Sequence, residues 1–522
     1  MFNPDSRNLR ITRGEASATG WRDLHQVDGE ELGGQAPLGP ITKIANFIHI
    51  SDLHICDAQS PARAEHLDRY ADPHHPLSEL VKYVGTYRPQ EILTTQTLEA
   101  LVRSINSIVG GPVTQKKIDA VVITGDVTDN AQSNELSWYL SILDGGEVTP
   151  DSGDFTKWEG VASTDPAKYD PSYWNPEGTP EGCTPDYPRA LYGFPKIPGL
   201  TDAVRKPFQA IGIKHQWLAT HGNHDALLQG TVRPDEAISE FAQGEYRVSK
   251  LAPDTDLAEM FGNFTQVGPT SYPQTEGATF DQVTSDPRRK INERGDWSKL
   301  HTDCGHDHGL NQENRESGNK YWAKDLDSLR IISMDTVNEF GGWQGSIDRV
   351  QFEWIKSQLA DPAPKYFLFL SHHPASTLFN LYSPEGEDSR VGEEELVAVL
   401  TADERVILWL AGHNHEHKIE RIQNDSQRGF WHIQTASNID WPQQGRIVEI
   451  FEESGKIGIA TSVFDHQGEI VSDFNSLDLG SITSLAGISR ALAGNDWQRR
   501  SGEFDLEKMA GESADRNRFL WL

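Results

Sequence analysis

Phe47-Ile48-His49-Ile50-Ser51-Asp52-Leu53-His54 sets a short apolar run directly before two metal-ligand side chains. The run reads as a buried strand, and Asp52 and His54 fall just beyond its C-terminal end. The same pattern recurs four times outward along the chain. Ala120-Val121-Val122-Ile123 leads to Gly125-Asp126, and Trp217-Leu218-Ala219 leads to Gly222-Asn223-His224-Asp225. Tyr366-Phe367-Leu368-Phe369-Leu370 leads to His372-His373-Pro374, and Val406-Ile407-Leu408-Trp409-Leu410 leads to Gly412-His413-Asn414-His415. Polar groups just past the ends of such strands gather along one rim of a sheet, where α/β folds build their sites.

The donor set combines carboxylate, amide and imidazole with no thiolate, which suits Mn, Fe or Zn. Counting ligands assigns Asp52, His54 and His415 to one cation and Asn223, His372 and His413 to the other, with Asp126 shared. Each divalent or trivalent ion then has four protein ligands. Two such ions clamp the oxygens of an in-line displacement, and a bridging water whose pKa falls to about 7 becomes the nucleophile. His224 is the candidate general acid or cationic stabiliser for the leaving group, oriented by Asp52 or Asp225.

The ordered blocks Asp52 to His54, Gly125 to Asp129, Gly222 to Asp225, His372 and Gly412 to His415 resemble the calcineurin-like metallophosphoesterase superfamily. The resemblance covers a scaffold from about residue 44 to 465. It implies an α/β fold, a two-sheet αββα sandwich with large loop insertions, a dinuclear metal site and phosphoester hydrolysis. It also implies that Asp129 supports the site from behind the ligands. The family pattern selects His372 as the ligand and leaves His373 as a substrate contact, with Asn414 either touching substrate or shaping its turn. The GDVTD block lacks the tyrosine of purple acid phosphatases, which sets that branch aside.

The expected activity is hydrolysis of a small phosphomonoester or phosphodiester. Two alternatives are a dinuclear hydrolase of non-phosphorus esters or amides and a catalytically silent binding module on the same fold. Intact ligands and an intact His224 speak against the silent module. The formal charge of -31 over 522 residues makes the surface acidic and argues against long nucleic acid as a partner. Three scattered cysteines indicate no disulfide framework and fit a reducing cytoplasm, and neither a signal peptide nor a membrane-spanning run is expected.

The expected organisation is an N-terminal extension over 1–40, a metallophosphoesterase domain over 41–470 and a C-terminal tail over 471–522. Insertions fall at about 145–214, irregular and rich in Tyr and Trp, and at about 241–324. Either is surface decoration or a substrate-shaping lid. In the second, His301, His306 and His308 lie with Asp303, Cys304 and Asp307. They offer an accessory metal site or a substrate contact, but their spacing matches no closed zinc pattern and a solvated loop is the simpler reading. Cys56 reads as a small buried thiol, and Trp343, Trp354 and Trp409 read as packing residues. Ser346 to Leu359 reads as a helix with Ile347, Val350, Trp354 and Ile355 on one face. Three later strands, Phe430 to Thr435, Arg446 to Phe451 and Lys456 to Val463, are expected to complete a second sheet.

Overall fold

The computed structural model describes residues 7–499 and 505–522; the first six residues of the expected N-terminal extension and 500–504 of the tail lie outside the described residues. The first half of the scaffold runs β1 (Thr42–Ile50), α1 (Thr94–Ser107), β2 (Ala120–Ile123), α2 (Ser133–Asp144), β3 (Trp217–Ala219), β4 (Trp322–Leu326) and β5 (Leu329–Ser333). The second half runs α3 (Arg349–Ala360), β6 (Tyr366–Leu370), α4 (Glu393–Ala402), β7 (Val406–Ala411), β8 (Lys418–Gln423), β9 (Gly429–Gln434), β10 (Gln444–Glu453), β11 (Lys456–Asp465), α5 (Ile482–Ala493) and β12 (Arg518–Trp521). Two six-stranded mixed sheets result, in the orders β12-β11-β10-β1-β2-β3 and β4-β5-β6-β7-β9-β8.

Side-chain alternation builds the layers. In β6, Leu368 and Leu370 join the core between the sheets, while Phe367 and Phe369 point the other way onto Phe352, Ile355 and Leu359 of α3 and Leu396 and Leu400 of α4. Leu98, Leu101, Val102 and Ile105 of α1 and Leu136, Tyr139 and Ile142 of α2 pack on the first sheet. Helices thus cover a pair of sheets, the αββα layering. Strands β1, β2 and β3 are mutually parallel, as are β5, β6, β7 and β9, so their C-terminal ends share one rim.

Several expectations need correction. Only Phe430 to Thr435 joins the second sheet; β10 and β11 extend the first, because β10 pairs antiparallel with β1 through Arg446↔His49 to Glu452↔Thr42. Strand β8, unforeseen, lies antiparallel on β9. Helix α3 begins only after Asp348, whose side chain caps it by accepting from the Gln351 amide. Its buried face is therefore Phe352, Ile355 and Leu359, and Val350 is 67% exposed. The described part of the N-terminal extension contains a hairpin, Leu9–Ala16 on Arg22–Asp28.

A second core gathers parts far apart in sequence. Trp21 and Leu24 of the hairpin meet Tyr173, Trp174 and Phe194 of the first insertion and Ile488, Leu492 and Trp497 of the tail. The tail then returns as β12 on β11. The aromatic surplus of residues 145–214 is used here, in packing. Among the described residues no helix is long and apolar enough to cross a membrane.

Candidate metal centre

The loops beyond the strand ends are knitted by the same backbone ladder that builds the sheets. The Asp52 amide donates to the Gly125 carbonyl at 3.1 Å, His54 to Asp126 at 2.9 Å, Gly412 to His372 at 3.0 Å and Asn438 to Asp52 at 3.0 Å. Turning the chain so sharply puts Asp52, His54, Asp126, His413 and His415 at φ between 44° and 74°. Each such non-glycine residue costs about 1–3 kcal/mol, and that strain is sustained by the surrounding sheet ends. Gly125, at φ 89°, has no substitute: a Cβ there would sit 2.9 Å from both the Gly222 backbone and the His372 side chain.

Asp52, His54 and His415 form one group, with a ligand atom of each within 4.8 Å of the others. The His54 Nδ1–H donates to Asp129 Oδ1 at 3.0 Å, and the His415 Nδ1–H to Asp440 Oδ2 at 2.6 Å. Both rings then turn Nε2 inward, where the two nitrogens face each other at 3.3 Å, and His415 Nε2 lies 3.3 Å from Asp52 Oδ1. A cation between them would be met by both inward nitrogens. His372 and His413 repeat the arrangement. The His372 Nδ1–H donates to the Thr124 carbonyl at 2.7 Å, and its Nε2 faces His413 Nδ1 at 3.2 Å.

Asp126 lies between the groups, with Oδ2 3.0 Å from His372 Nε2 and 3.7 Å from His54 Nε2. Its Oδ1 accepts the His224 amide at 2.8 Å, which brings the Asn223 loop against it. Asn223 anchors its Nδ2 on the Gly230 carbonyl at 2.9 Å, and its Oδ1 is buried with no hydrogen-bond partner. An orphaned buried oxygen is costly unless something absent from the protein completes it.

The electrostatics keep Asp126 ionised and His54 and His413 neutral, while the carboxylates beside them raise His372 and His415. Burial would raise the Asp126 carboxyl, but His372 and His224 hold it well below the usual range. Burial, then His224, lowers His54 to about 4, and burial with His373 and His372 lowers His413 far below its ordinary value. On His372 burial disfavours charge, yet Asp126 and Asp52 outweigh it and raise the pKa to about 9. Without a cation, this site keeps a proton where its carboxylates most need a positive charge.

The other expected residues fall around this centre. His224 lines the cavity over it, and its Nδ1–H donates to the Asp129 carbonyl at 2.7 Å. Neither Asp52 nor Asp225 orients that ring, which corrects the expectation. Asp225 instead clasps loops: Oδ1 accepts the amides of Val127 and Thr128 and Oδ2 that of Gly222, each at 2.9 Å. His373 is fully buried, with Nε2 2.9 Å from the Trp343 carbonyl and Nδ1 2.9 Å from Thr336 Oγ1, so no ring nitrogen remains for a substrate. Asn414 lines the cavity wall and donates to Gln434 Oε1 at 2.9 Å.

Residues 198–417 match the family model of calcineurin-like phosphoesterases. Over that stretch, less than half of the chain, the sequence is similar to the calcineurin-like phosphoesterases. A comparison with curated proteins returned no match. The family carries out metal-dependent phosphoester hydrolysis, and the clusters above are groups suited to holding metal ions. The match takes in the Asn223, His372 and His413 blocks; Asp52 and Asp126 precede it on β1 and β2, which pair directly into the sheet of β3.

Several residues of the phosphoesterase site escaped sequence reading. Asp440 holds His415 and is itself held by Arg88 Nε at 3.0 Å and Arg499 Nη2 at 2.8 Å. Its signal was faint: a carboxylate past a strand, β9, that ends on the same rim. Arg63 and Gln229 grip Asp129 Oδ2. Trp343, expected in the core, is 38% exposed and stacks on His413 at 5.8 Å and 19°.

Asp440→Asn keeps the shape but removes the charge that fixes the His415 tautomer. Metal affinity should fall about 10- to 100-fold, read by chelator titration on folded protein; unchanged affinity would show that His415 is held without that charge.

Proposed function

We propose that this chain hydrolyses a small phosphoester carrying an apolar substituent, a diester in preference to a monoester. Asp52, His54 and His415 hold one transition-metal ion, Asn223, His372 and His413 hold a second, and Asp126 spans both. Bound Mn, Fe or Zn supplies an activated water and a Lewis-acidic grip on phosphoryl oxygens. The orphaned Asn223 Oδ1 carries this reading, since a cation would complete a buried oxygen on a residue that lines the same cavity as Asp126 and His413. With Nδ1 fixed on the Asp129 carbonyl, His224 keeps Nε2 free to deliver a proton to a leaving oxygen. Asp129 and Asp225 act on placement: Asp129 orients His54 and His224, and Asp225 locks the Asn223 loop to the Asp126 loop.

The substituent is read from the cavity of about 670 Å³ above the ligands. Leu67, Leu228, Val232, Phe261, Phe264 and Tyr272 form its walls, and Asp126, Asn223, His224 and His413 its floor. Such a volume, apolar with convergent polar groups, suits a drug-sized ligand. The second insertion contributes walls through Phe261, Phe264 and Tyr272; no described residue of the first insertion lines it. All three cysteines are free, which supports a reducing, cytoplasmic setting.

The test uses metal-reconstituted protein on aryl and methyl phosphodiesters and monoesters. Aryl diesters should be cleaved best, and Phe261→Ala should raise KM for them about tenfold while sparing methyl esters. No turnover across the panel with two metals bound would overturn the proposal.

A further inference from the structure

The second insertion meets the end of α2 in another set of metal donors, apart from the dinuclear ligands. Asp144 closes α2, Cys304 follows the helix Asp296–Asp303, and His306 and His308 sit in the turn beyond it, which Gly305 reverses at φ 82°. One donor atom from each of the four lies within 4.8 Å of the others. Asp144 Oδ1 is 3.0 Å from His306 Nδ1 and 3.7 Å from His308 Nε2. Tetrahedral zinc, with bonds of about 2.0–2.3 Å, takes this kind of closed sulfur, nitrogen and oxygen set.

His308 supplies an independent observation. Its side chain is 1% exposed, although a solvated loop was expected, and His301 is fully buried beside it. The His308 Nδ1–H donates to the Trp217 carbonyl at 3.2 Å, so Nε2 carries the lone pair. That Nε2 is buried, has no hydrogen-bond partner and is turned toward Asp144. The ring is clamped by Trp217, stacked at 3.3 Å and 20°, and the Trp217 Nε1–H donates to Asp144 Oδ1 at 3.1 Å.

We propose that Asp144, Cys304, His306 and His308 bind one further divalent cation of borderline softness, zinc by the chemistry of the set. The ion is a clamp. It ties the second insertion to the end of α2 and to β3, the strand whose loop carries Asn223 and His224. Binding converts the Cys304 thiol to thiolate and releases that proton.

The thiolate separates this site from the dinuclear one, whose ligands contain no sulfur. Full-length protein, free of any affinity tag, is stripped and titrated with Co²⁺. The expected result is a near-ultraviolet charge-transfer band of one thiolate-bound cobalt per chain, beside the cobalt taken up by the dinuclear ligands. Cys304→Ser and His306→Ala should lose the band, and Cys183→Ser should keep it. The exposed His306 position guards against a misfolded variant, with circular dichroism confirming the fold of each protein. Absence of the band in the unaltered chain, or its survival in Cys304→Ser, would overturn the proposal. The readout is independent of turnover, so it stands or falls apart from the phosphoesterase reading.

Discussion

Asp126→Asn should leave the chain folded and unable to hold its cation pair. The carboxylate lies 3.0 Å from His372 Nε2 and 3.7 Å from His54 Nε2, between the two ligand groups. Asparagine retains the shape and one oxygen, and the backbone contacts from His54 to the Asp126 carbonyl survive. What disappears is the negative charge that offsets two cations in a buried place. Removing one partner from a buried charge pair costs roughly 3–5 kcal/mol, about a hundred- to several-thousand-fold in affinity. Elemental analysis after gel filtration should find the variant depleted of metal and the proposed hydrolysis abolished. Full metal content in this variant would refute the shared position of Asp126.

His224→Ala should separate chemistry from binding. Its ring touches the site through neighbours, 4.6 Å centroid to centroid from His54, and its Nδ1 is committed to a carbonyl rather than to an ion. A placed general acid is worth about a hundred- to ten-thousand-fold in rate. Turnover should fall by that amount with metal content and KM unchanged. The loss should be largest for alkyl leaving groups, which need a proton, and smallest for p-nitrophenolate, which leaves without one. Equal losses for both leaving groups would mean that His224 positions the loop instead of delivering a proton.

The reach of sequence reading differs between ligands and their supports. Asp52, His54, Asp126, Asn223, His372, His413 and His415 stood out because each follows a short apolar strand, and the parallel pairing of those strands does bring them to one rim. Asp440 and Arg63 did not, since a single charged residue in a loop carries no periodicity. His373 misled for a related reason: adjacency to His372 shows that a side chain is near the site, not which atoms its nitrogens face. The buried face of α3 was read in part: Ile355 turns inward as expected, with Phe352 and Leu359 beside it, while Val350 is exposed.

Hydrophobic runs, their terminal ligands and their order were enough to indicate an α/β class and a set of donors, because both depend on local pattern, while the two-sheet layering was implied by the family resemblance. Pairing partners were not local. β10 joins the first sheet through contacts with β1 hundreds of residues earlier, and the first insertion reached a core shared with the N-terminal hairpin and the tail. The cavity walls, the Asp440 support of His415 and the meeting of Asp144 with Cys304, His306 and His308 are likewise products of long-range packing, which no spacing along the chain encodes.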